Sequence, residues 1–376
     1  MGRRIPQSTI DAALKDLQHL SWDQVADRHG ISRGAIYHHA LKAGARKTEL
    51  RITERRRARK QRQADFLAQV MNTTTRSDVL DYLDGLPDEA AAMILTSPPY
   101  NVDKKYGGAG RDCVSYYYYL GWLIQVLSEC SRVLSPGGVL FLQVGNTRDA
   151  QGRLYPIDVM VLDHLLGMGL SLQNRVIWTV PHGLTPKRRL ANRYETALVL
   201  SKGDPNCFYP TSARSSQQDP GKRGYKGPKL GQLTGHPLGA APTDVWTIPH
   251  LGAGHREKRA GGGHPCQFPE ALAMRAIHLW SQPGDLIVDP FVGSGSSAVA
   301  AKRSGRAFTG ADLFYEDARR ARLEAAGLDP VCILPGVTDE SLAVWQAEAR
   351  AVTRPAAPVS TRDLKAQMDL YLIGND

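Results

Sequence analysis

Two short segments hold the residues of this 376-residue chain best suited to chemistry. The first, Leu95-Thr96-Ser97-Pro98-Pro99-Tyr100-Asn101, follows directly on an apolar run, Ala91–Thr96, that reads as a buried strand. Ligands of open α/β sheets sit beyond the carboxyl ends of strands, so a reactive loop belongs here. Pro98 and Pro99 have no N–H, so the loop presents carbonyl acceptors, with the Ser97 hydroxyl before them and the Tyr100 ring after. That set suits a flat molecule bearing an exocyclic amino group: acceptors for its two hydrogens and a ring to stack on. Read alone, the same residues also make a plain rigid turn.

The second segment is Asp289-Pro290-Phe291-Val292-Gly293-Ser294-Gly295-Ser296-Ser297, followed by a helical pattern over 298–302. A strand ending in an acid, then Gly-x-Gly, lets the backbone approach a ligand closely at a helix N-terminus. The third glycine of the dinucleotide fingerprint is missing, so a nicotinamide cofactor is not favoured. About twenty residues on, Asp312 follows the next apolar run, where an acid can bind both hydroxyls of a ribose.

The elements that must position these loops read as α/β. Apolar runs at Ala91–Thr96, 139–144, 176–180, 197–200, 286–288 and 308–311 predict strands, with helical patterns between them at Tyr116–Val133 and 269–281. This alternation predicts a doubly wound, mostly parallel sheet. Residues 203–263 interrupt it; they are rich in Gly, Pro, Ser and Gln, carry more bases than acids, and read as a loop-built insertion.

Hydrophobic residues make up 42% and charged residues 22%, enough for a sizeable core. No apolar run approaches a membrane span and no apolar stretch follows Arg3 and Arg4, so neither a span nor a secretory signal is expected. Cys113, Cys130, Cys207, Cys266 and Cys332 are odd in number and never spaced C-x-x-C, which fits a reducing cytoplasm. The eleven histidines show no metal-ligand spacing, so no metal is expected. Net charge is +10, and residues 1–65 alone supply +8. Seven of the twelve residues in 51–62 are basic, Arg55, Arg56 and Arg57 among them, which predicts a phosphate-tracking arm in preference to a solvated helical linker. Before the arm, Ser8, Ser21 and Ser32 can cap three short helices, the third over 33–43. The stretch from Trp22 through Gly30 to Tyr37 resembles a helix-turn-helix, with Gly30 at the turn and Arg33, Tyr37, His38 and His39 facing a DNA groove.

Taken in order, these motifs resemble the β-class of amino-DNA methyltransferases over roughly residues 75–325. The family's catalytic tetrapeptide matches Ser97-Pro98-Pro99-Tyr100. Its cofactor motif matches Asp289, Phe291, Gly293, Ser294 and Gly295, with Asp312 as the ribose acid. His264, Pro265 and Pro269 match the segment over the cofactor's methionine end, and Arg132, Trp178 and Tyr194-Glu195 fit the intervening pattern. The resemblance implies a Rossmann-like sheet with S-adenosylmethionine as cofactor and double-stranded DNA as partner. A cytoplasmic enzyme of a bacterium or phage is expected, with a homodimer and a cognate restriction endonuclease left open. The domains expected are 1–65, helix-turn-helix and basic arm; 66–202, catalytic half; 203–263, target-recognition insertion with Lys222, Arg223 and Lys226 on DNA; 264–345, cofactor half; and 346–376, tail. The helix-turn-helix lies outside the family's minimal core.

The implied reaction moves a methyl group to the amino nitrogen of a base flipped out of the duplex. Ser97 Oγ and the Pro98 carbonyl would accept the amino hydrogens while Tyr100 stacks on the ring. Ser before Pro-Pro-Tyr favours cytosine N4 over adenine N6. Pro265-Cys266-Gln267 imitates the nucleophile motif of cytosine C5 enzymes, but there the Gly-rich loop precedes the Pro-Cys and here it follows, so Cys266 is not expected to react. The competing readings are a DNA-binding regulator with an inactive methyltransferase body and an enzyme acting on RNA or protein.

Overall fold

The computed structural model describes residues 6–16, 22–31, 36, 39, 47–106, 112, 114–149, 151–180, 186–187, 189–217, 219, 221–236, 238–252, 254–260, 262, 264–327 and 332–333. The chain divides into two compact units between Gln69 and Val70.

The N-terminal unit begins with α1 (Gln7–Asp16) and α2 (Trp22–His29). Ile10, Ala13 and Val25 are buried, and Asp16 Oδ2 takes a hydrogen bond from Arg28 at 3.1 Å beside His29 Nε2 at 2.9 Å. Gly30 ends α2 at φ +61°. Of the expected third helix, Ile36 and His39 are described, both helical, with Ile36 buried; Arg33, Tyr37 and His38 lie outside the described residues. The basic run falls within α3 (Lys47–Val70), and the side chains of Arg55 and Arg56 lie outside what is described.

The larger unit is mixed α/β. In chain order its elements are β1 (Thr74–Arg76), α4 (Val79–Gly85), β2 (Ala91–Thr96), α5 (Tyr116–Val133), β3 (Leu134–Val144), β4 (Asn146–Arg148), β5 (Leu154–Pro156), α6 (Ile157–Gly167), β6 (Ser171–Thr179) and β7 (Tyr194–Ser201). Then follow β8 (Val245–Trp246), α7 (Arg256–Ala260), α8 (Glu270–Trp280), β9 (Leu286–Asp289), α9 (Ser296–Arg303), β10 (Ala307–Ala311), α10 (Glu316–Ala325) and β11 (Cys332–Ile333). Among the described residues the main sheet runs β11-β1-β10-β9-β2-β3-β7-β6-β8. It is parallel from β11 to β3; β7 is antiparallel to both β3 and β6, and β8 runs parallel to β6.

Strands covered on both faces need continuous apolar sequence, and Met93, Ile94 and Leu95 of β2 and Leu140, Phe141 and Leu142 of β3 are all buried. All six expected strands are present, β2 with the expected ends. Among its described residues, 203–263 consists of loops, two 3-10 turns, the two-residue β8 and the short α7, and one of these residues is a core anchor. Trp246 of β8 is buried between Phe141 (ring centroids 5.8 Å apart) and Trp280 (6.3 Å), and Arg275 lies over its ring at 4.9 Å. A lone Trp in a Gly- and Pro-rich stretch gives no periodicity from which to read this. The tail over 346–376 lies outside the described residues.

Candidate active site

β2 delivers Ser97 to the carboxyl edge of the sheet, and Pro99, Tyr100 and Asn101 beyond it are fixed by neighbours. The Pro99 carbonyl accepts from Tyr119 Oη of α5 at 2.9 Å. Asn101 adopts φ +58°, a left-handed conformation that Asn tolerates better than most residues. Its amide holds Val114 both ways, donating to the carbonyl at 2.9 Å and accepting from the N–H at 2.7 Å. Its own carbonyl accepts from Thr147 Oγ1 at 2.9 Å. The Tyr100 ring presses on Gly145, where a Cβ would come within 2.9 Å of it, so a side chain there would displace the ring. Tyr100 Oη donates to Glu195 Oε2 at 3.1 Å and lies 3.2 Å from Ser97 Oγ, and Gln143 Nε2 donates to the same Glu195 oxygen. Burial holds the Tyr100 phenol well above its ordinary range, with the Glu195 charge adding to the effect.

The cofactor loop lies beside this one because β9 pairs with β2. Asp289, buried at the end of β9, accepts from Thr96 Oγ1 at 2.8 Å, from the Phe291 N–H at 3.0 Å and from Ser297 Oγ. Burial raises its carboxyl to about 6 despite these donors. Gly293 and Gly295 take φ of +52° and +87°. A Cβ on Gly293 would stand 2.8 Å from His264 Nε2, so the turn requires glycine for both its conformation and its close approach. Asp312 closes the loop from β10: Oδ2 accepts from the Gly293 N–H at 3.0 Å and Oδ1 from the Phe314 N–H at 2.8 Å. Its carboxyl also lies above the usual range because it is buried, an effect that Arg319 partly offsets.

His264 packs over this turn between the rings of Tyr315 (4.5 Å) and Tyr106 (5.7 Å). Burial, reinforced by Lys258, Arg322 and Arg319, pushes its pKa down to about 3, so it is neutral, with Nδ1 accepting from the Cys266 N–H at 3.3 Å. The Pro265 carbonyl accepts from Lys258 Nζ at 3.2 Å, and Pro269 starts α8. Burial pushes the Cys266 thiol up, the reverse of what activates a thiolate nucleophile.

The structure thus brings Ser97, Pro98, Pro99 and Tyr100 next to Asp289, Phe291, Gly293, Ser294, Gly295, Asp312 and the His264 segment, on adjoining strand ends. Lys222, Arg223 and Lys226 stand apart on a small hairpin of the insertion, closed by Thr234 N to the Lys222 carbonyl (3.0 Å) and Gly224 N to the Gln232 carbonyl (2.9 Å). Two arginines were not legible as part of the site. Arg319 donates to the Gly293 carbonyl (2.9 Å) and the Phe314 carbonyl (2.8 Å) and, through Nε, to Thr74 Oγ1 (2.9 Å). Arg322 donates to the Ser294 carbonyl (3.0 Å), Ser294 Oγ (2.9 Å) and Glu270 Oε1 (2.7 Å). Both are buried and brace the Gly-rich turn from behind.

A family model described as DNA methylase, of the N6/N4 type, matches residues 91–321. The type II methyltransferase M.BglII of Bacillus subtilis is 34% identical over 253 residues, 67% of this chain and 68% of that protein. The DNA adenine methyltransferase YhdJ of Escherichia coli K12 is 27% identical over 65% of this chain and 79% of that protein. Among solved structures, PvuII DNA methyltransferase (cytosine-N4-specific) shares the fold, with a TM-score of 0.52 and 19% identity over 74% of this chain and 92% of that one.

The chain therefore belongs to the N6/N4 DNA methylase family, and it is an amino-DNA methyltransferase. S-adenosylmethionine is the methyl donor of this family, and the residues here fit it. Asp312, with lone pairs left for a ribose diol, a glycine turn that leaves no room for a Cβ under His264 and the aromatic rings of Phe291 and Tyr315 come together at one place, while Arg319 and Arg322 donate to the turn from behind.

Proposed function

We propose that the protein methylates the N4 amino group of cytosine at a specific sequence in duplex DNA. The observation that carries this reading is Ser97 at the head of the Pro-Pro-Tyr loop, where its neutral hydroxyl adjoins the cofactor loop through the Thr96–Asp289 contact. The exocyclic nitrogen of a base is a weak nucleophile because its lone pair is delocalised into the ring. Ser97 Oγ and the Pro98 carbonyl hold its hydrogens so that it can become tetrahedral, and Tyr100 stacks on the extruded ring. Asp312 holds the ribose of S-adenosylmethionine, and the Gly293–Gly295 turn and His264 frame the rest; the bound molecule supplies an electrophilic methyl group. The remaining work is positioning.

DNA is held outside this pocket. Residues 203–263 read the sequence, and the hairpin carrying Lys222, Arg223 and Lys226 supports that reading: no acid occurs between Asp219 and Asp244, and Tyr225 at its tip is 79% exposed. The basic head, with its helix-turn-helix resemblance, adds phosphate contacts. The similarity to type II methyltransferases supports a restriction–modification setting. The likeness to an adenine methyltransferase makes N6-adenine the second reading. Nucleoside mass spectrometry of DNA after reaction with labelled cofactor separates the two. N4-methylcytosine is expected; N6-methyladenine alone would overturn the choice of base and leave the amino-methyltransferase assignment standing.

A further inference from the structure

Behind the catalytic loop, hydrogen bonds form a chain that ends on a carboxylate. A phenol has one hydrogen, and Tyr100 gives its hydrogen to Glu195 Oε2 at 3.1 Å. Taken alone, the 3.2 Å contact between Ser97 Oγ and Tyr100 Oη could run in either direction. With the phenolic hydrogen committed, only Ser97 can donate in that contact. Its hydrogen is spent inward, and lone pairs are all it has left for a substrate. Both contacts lie just beyond the usual hydroxyl range and shorten into it as charge moves along them.

We propose that Glu195, acting through Tyr100, makes Ser97 an obligate acceptor for the base amino group and receives the proton released on methylation; this rests on the amino-methylation reading above. The amino nitrogen attacks the sulfonium methyl carbon, a new N–C bond forms, and the pair of the broken C–S bond stays on sulfur. The cationic nitrogen passes a proton to Ser97 Oγ, Ser97 passes its own to Tyr100 Oη, and Tyr100 passes its own to Glu195. The nitrogen, serine and phenol all end neutral, and Glu195 ends as a carboxylic acid that later loses its proton to water.

The setting of Glu195 suits this role. Among the described residues its partners are Tyr100 and Gln143, with no cation bonded to it. Burial raises its carboxyl above the usual range, against the pull of those two donors. Cys266 is close enough to sense its charge, and Asp158 and Arg175, paired with each other at 2.5 Å, line the same small cavity. The effect of Arg175 is thereby largely spent on Asp158.

Glu195→Gln removes the charge and the proton-accepting capacity with almost no change of shape. Single-turnover methyl transfer should fall by about a hundredfold or more, with cofactor and DNA affinities unchanged. The wild-type rate should fall as acid protonates Glu195, and this acid limb should vanish in the variant. Tyr100→Phe keeps the ring and should show the same loss, and the double variant should be no slower than the slower single one. Glu195→Asp should restore part of the rate. Losses that multiply, or an acid limb that persists in Glu195→Gln, would overturn the proposal in favour of a purely structural carboxylate. Should Glu195→Gln fail to fold, Tyr100→Phe alone must abolish the limb, and a retained limb overturns the proposal. A wild-type enzyme that leaves DNA unmethylated would instead overturn the reading on which the proposal rests.

Discussion

Thr96 donates its hydroxyl hydrogen to Asp289 Oδ1 at 2.8 Å, a contact between residues 193 apart in sequence. It joins the last residue of β2, from which the catalytic loop departs, to the last residue of β9, from which the cofactor loop departs. The two loops are far apart in sequence, and this buried bond fixes the offset between the strand ends from which they leave. Thr96→Val keeps the shape and removes the donor. A buried carboxylate that loses one of its donors costs about 1–3 kcal/mol. The variant should unfold at correspondingly lower urea concentration and transfer methyl groups more slowly. Wild-type values for both would show that strand pairing alone sets the offset.

Much of the parallel half of the sheet was legible because strands buried on both faces must be apolar throughout, as in β2, β9 and β10, although β3 starts five residues before its apolar run. That the Ser-Pro-Pro-Tyr loop, the Gly-rich turn and Asp312 meet at adjoining strand ends was legible because each follows an apolar run that reads as a strand. Arg319 and Arg322 were not. They lie in a helix whose sequence, EDARRARLEA, reads as solvated, and only the fold shows that their guanidinium groups satisfy the carbonyls of a turn some 26–28 residues away. Short β1, with sequence TTR, and two-residue β8 have too few residues to show a period. Glu195 matched a motif, but nothing in the motif says that its carboxylate meets Tyr100.

Asp312 offers a cofactor-specific test. It accepts two backbone N–H bonds and keeps lone pairs for a diol. Asp312→Ala should weaken S-adenosylmethionine binding by roughly 1.5–3 kcal/mol, the range for hydrogen bonds to a charged group. Calorimetry measures it directly, and DNA affinity without cofactor should barely change. Unaltered cofactor affinity would remove Asp312 from the site.

His264 should make the fold acid-sensitive. Its pKa is about 3 in the folded protein, against an ordinary value of 6.5, so between those limits the unfolded chain binds the extra proton. Stability from this group is whole above pH 6.5 and drains away as pH falls towards 3, by at most about 1.4 kcal/mol per pH unit. Asp289 acts oppositely: with its carboxyl raised to about 6, protonation between pH 6 and 4 favours the folded state. The two slopes largely cancel in the wild type, so the difference between proteins is the informative quantity. Relative to wild type, His264→Gln should gain stability steadily as pH falls from 6.5 to 4.5, measured by urea unfolding at each pH. Parallel curves would mean that His264 is protonated in the folded state.

Holding DNA and reading its sequence can be separated by mutation. Replacing Lys222, Arg223 and Lys226 with Gln removes three cations from the insertion hairpin, and replacing Arg55, Arg56 and Arg57 with Gln removes three from α3. If all three of a set touch phosphates, the slope of log K against log salt should become shallower by about 2.7 in either case, at roughly 0.9 per contact. Affinity alone therefore does not distinguish the two sets. Sequence choice does: a hairpin that lies against base edges also sets the register of its neighbours, so the hairpin variant should methylate an altered or relaxed set of sites, while the arm variant keeps the wild-type set and is merely slower at low DNA concentration. Tyr225→Ala, at the hairpin tip, should relax specificity without changing the salt slope, because it removes a ring and no charge. Sequencing of modified bases in DNA treated with each variant reads out all three. A changed target in the arm variant with an unchanged one in the hairpin variants would move sequence recognition from the insertion to the N-terminal unit.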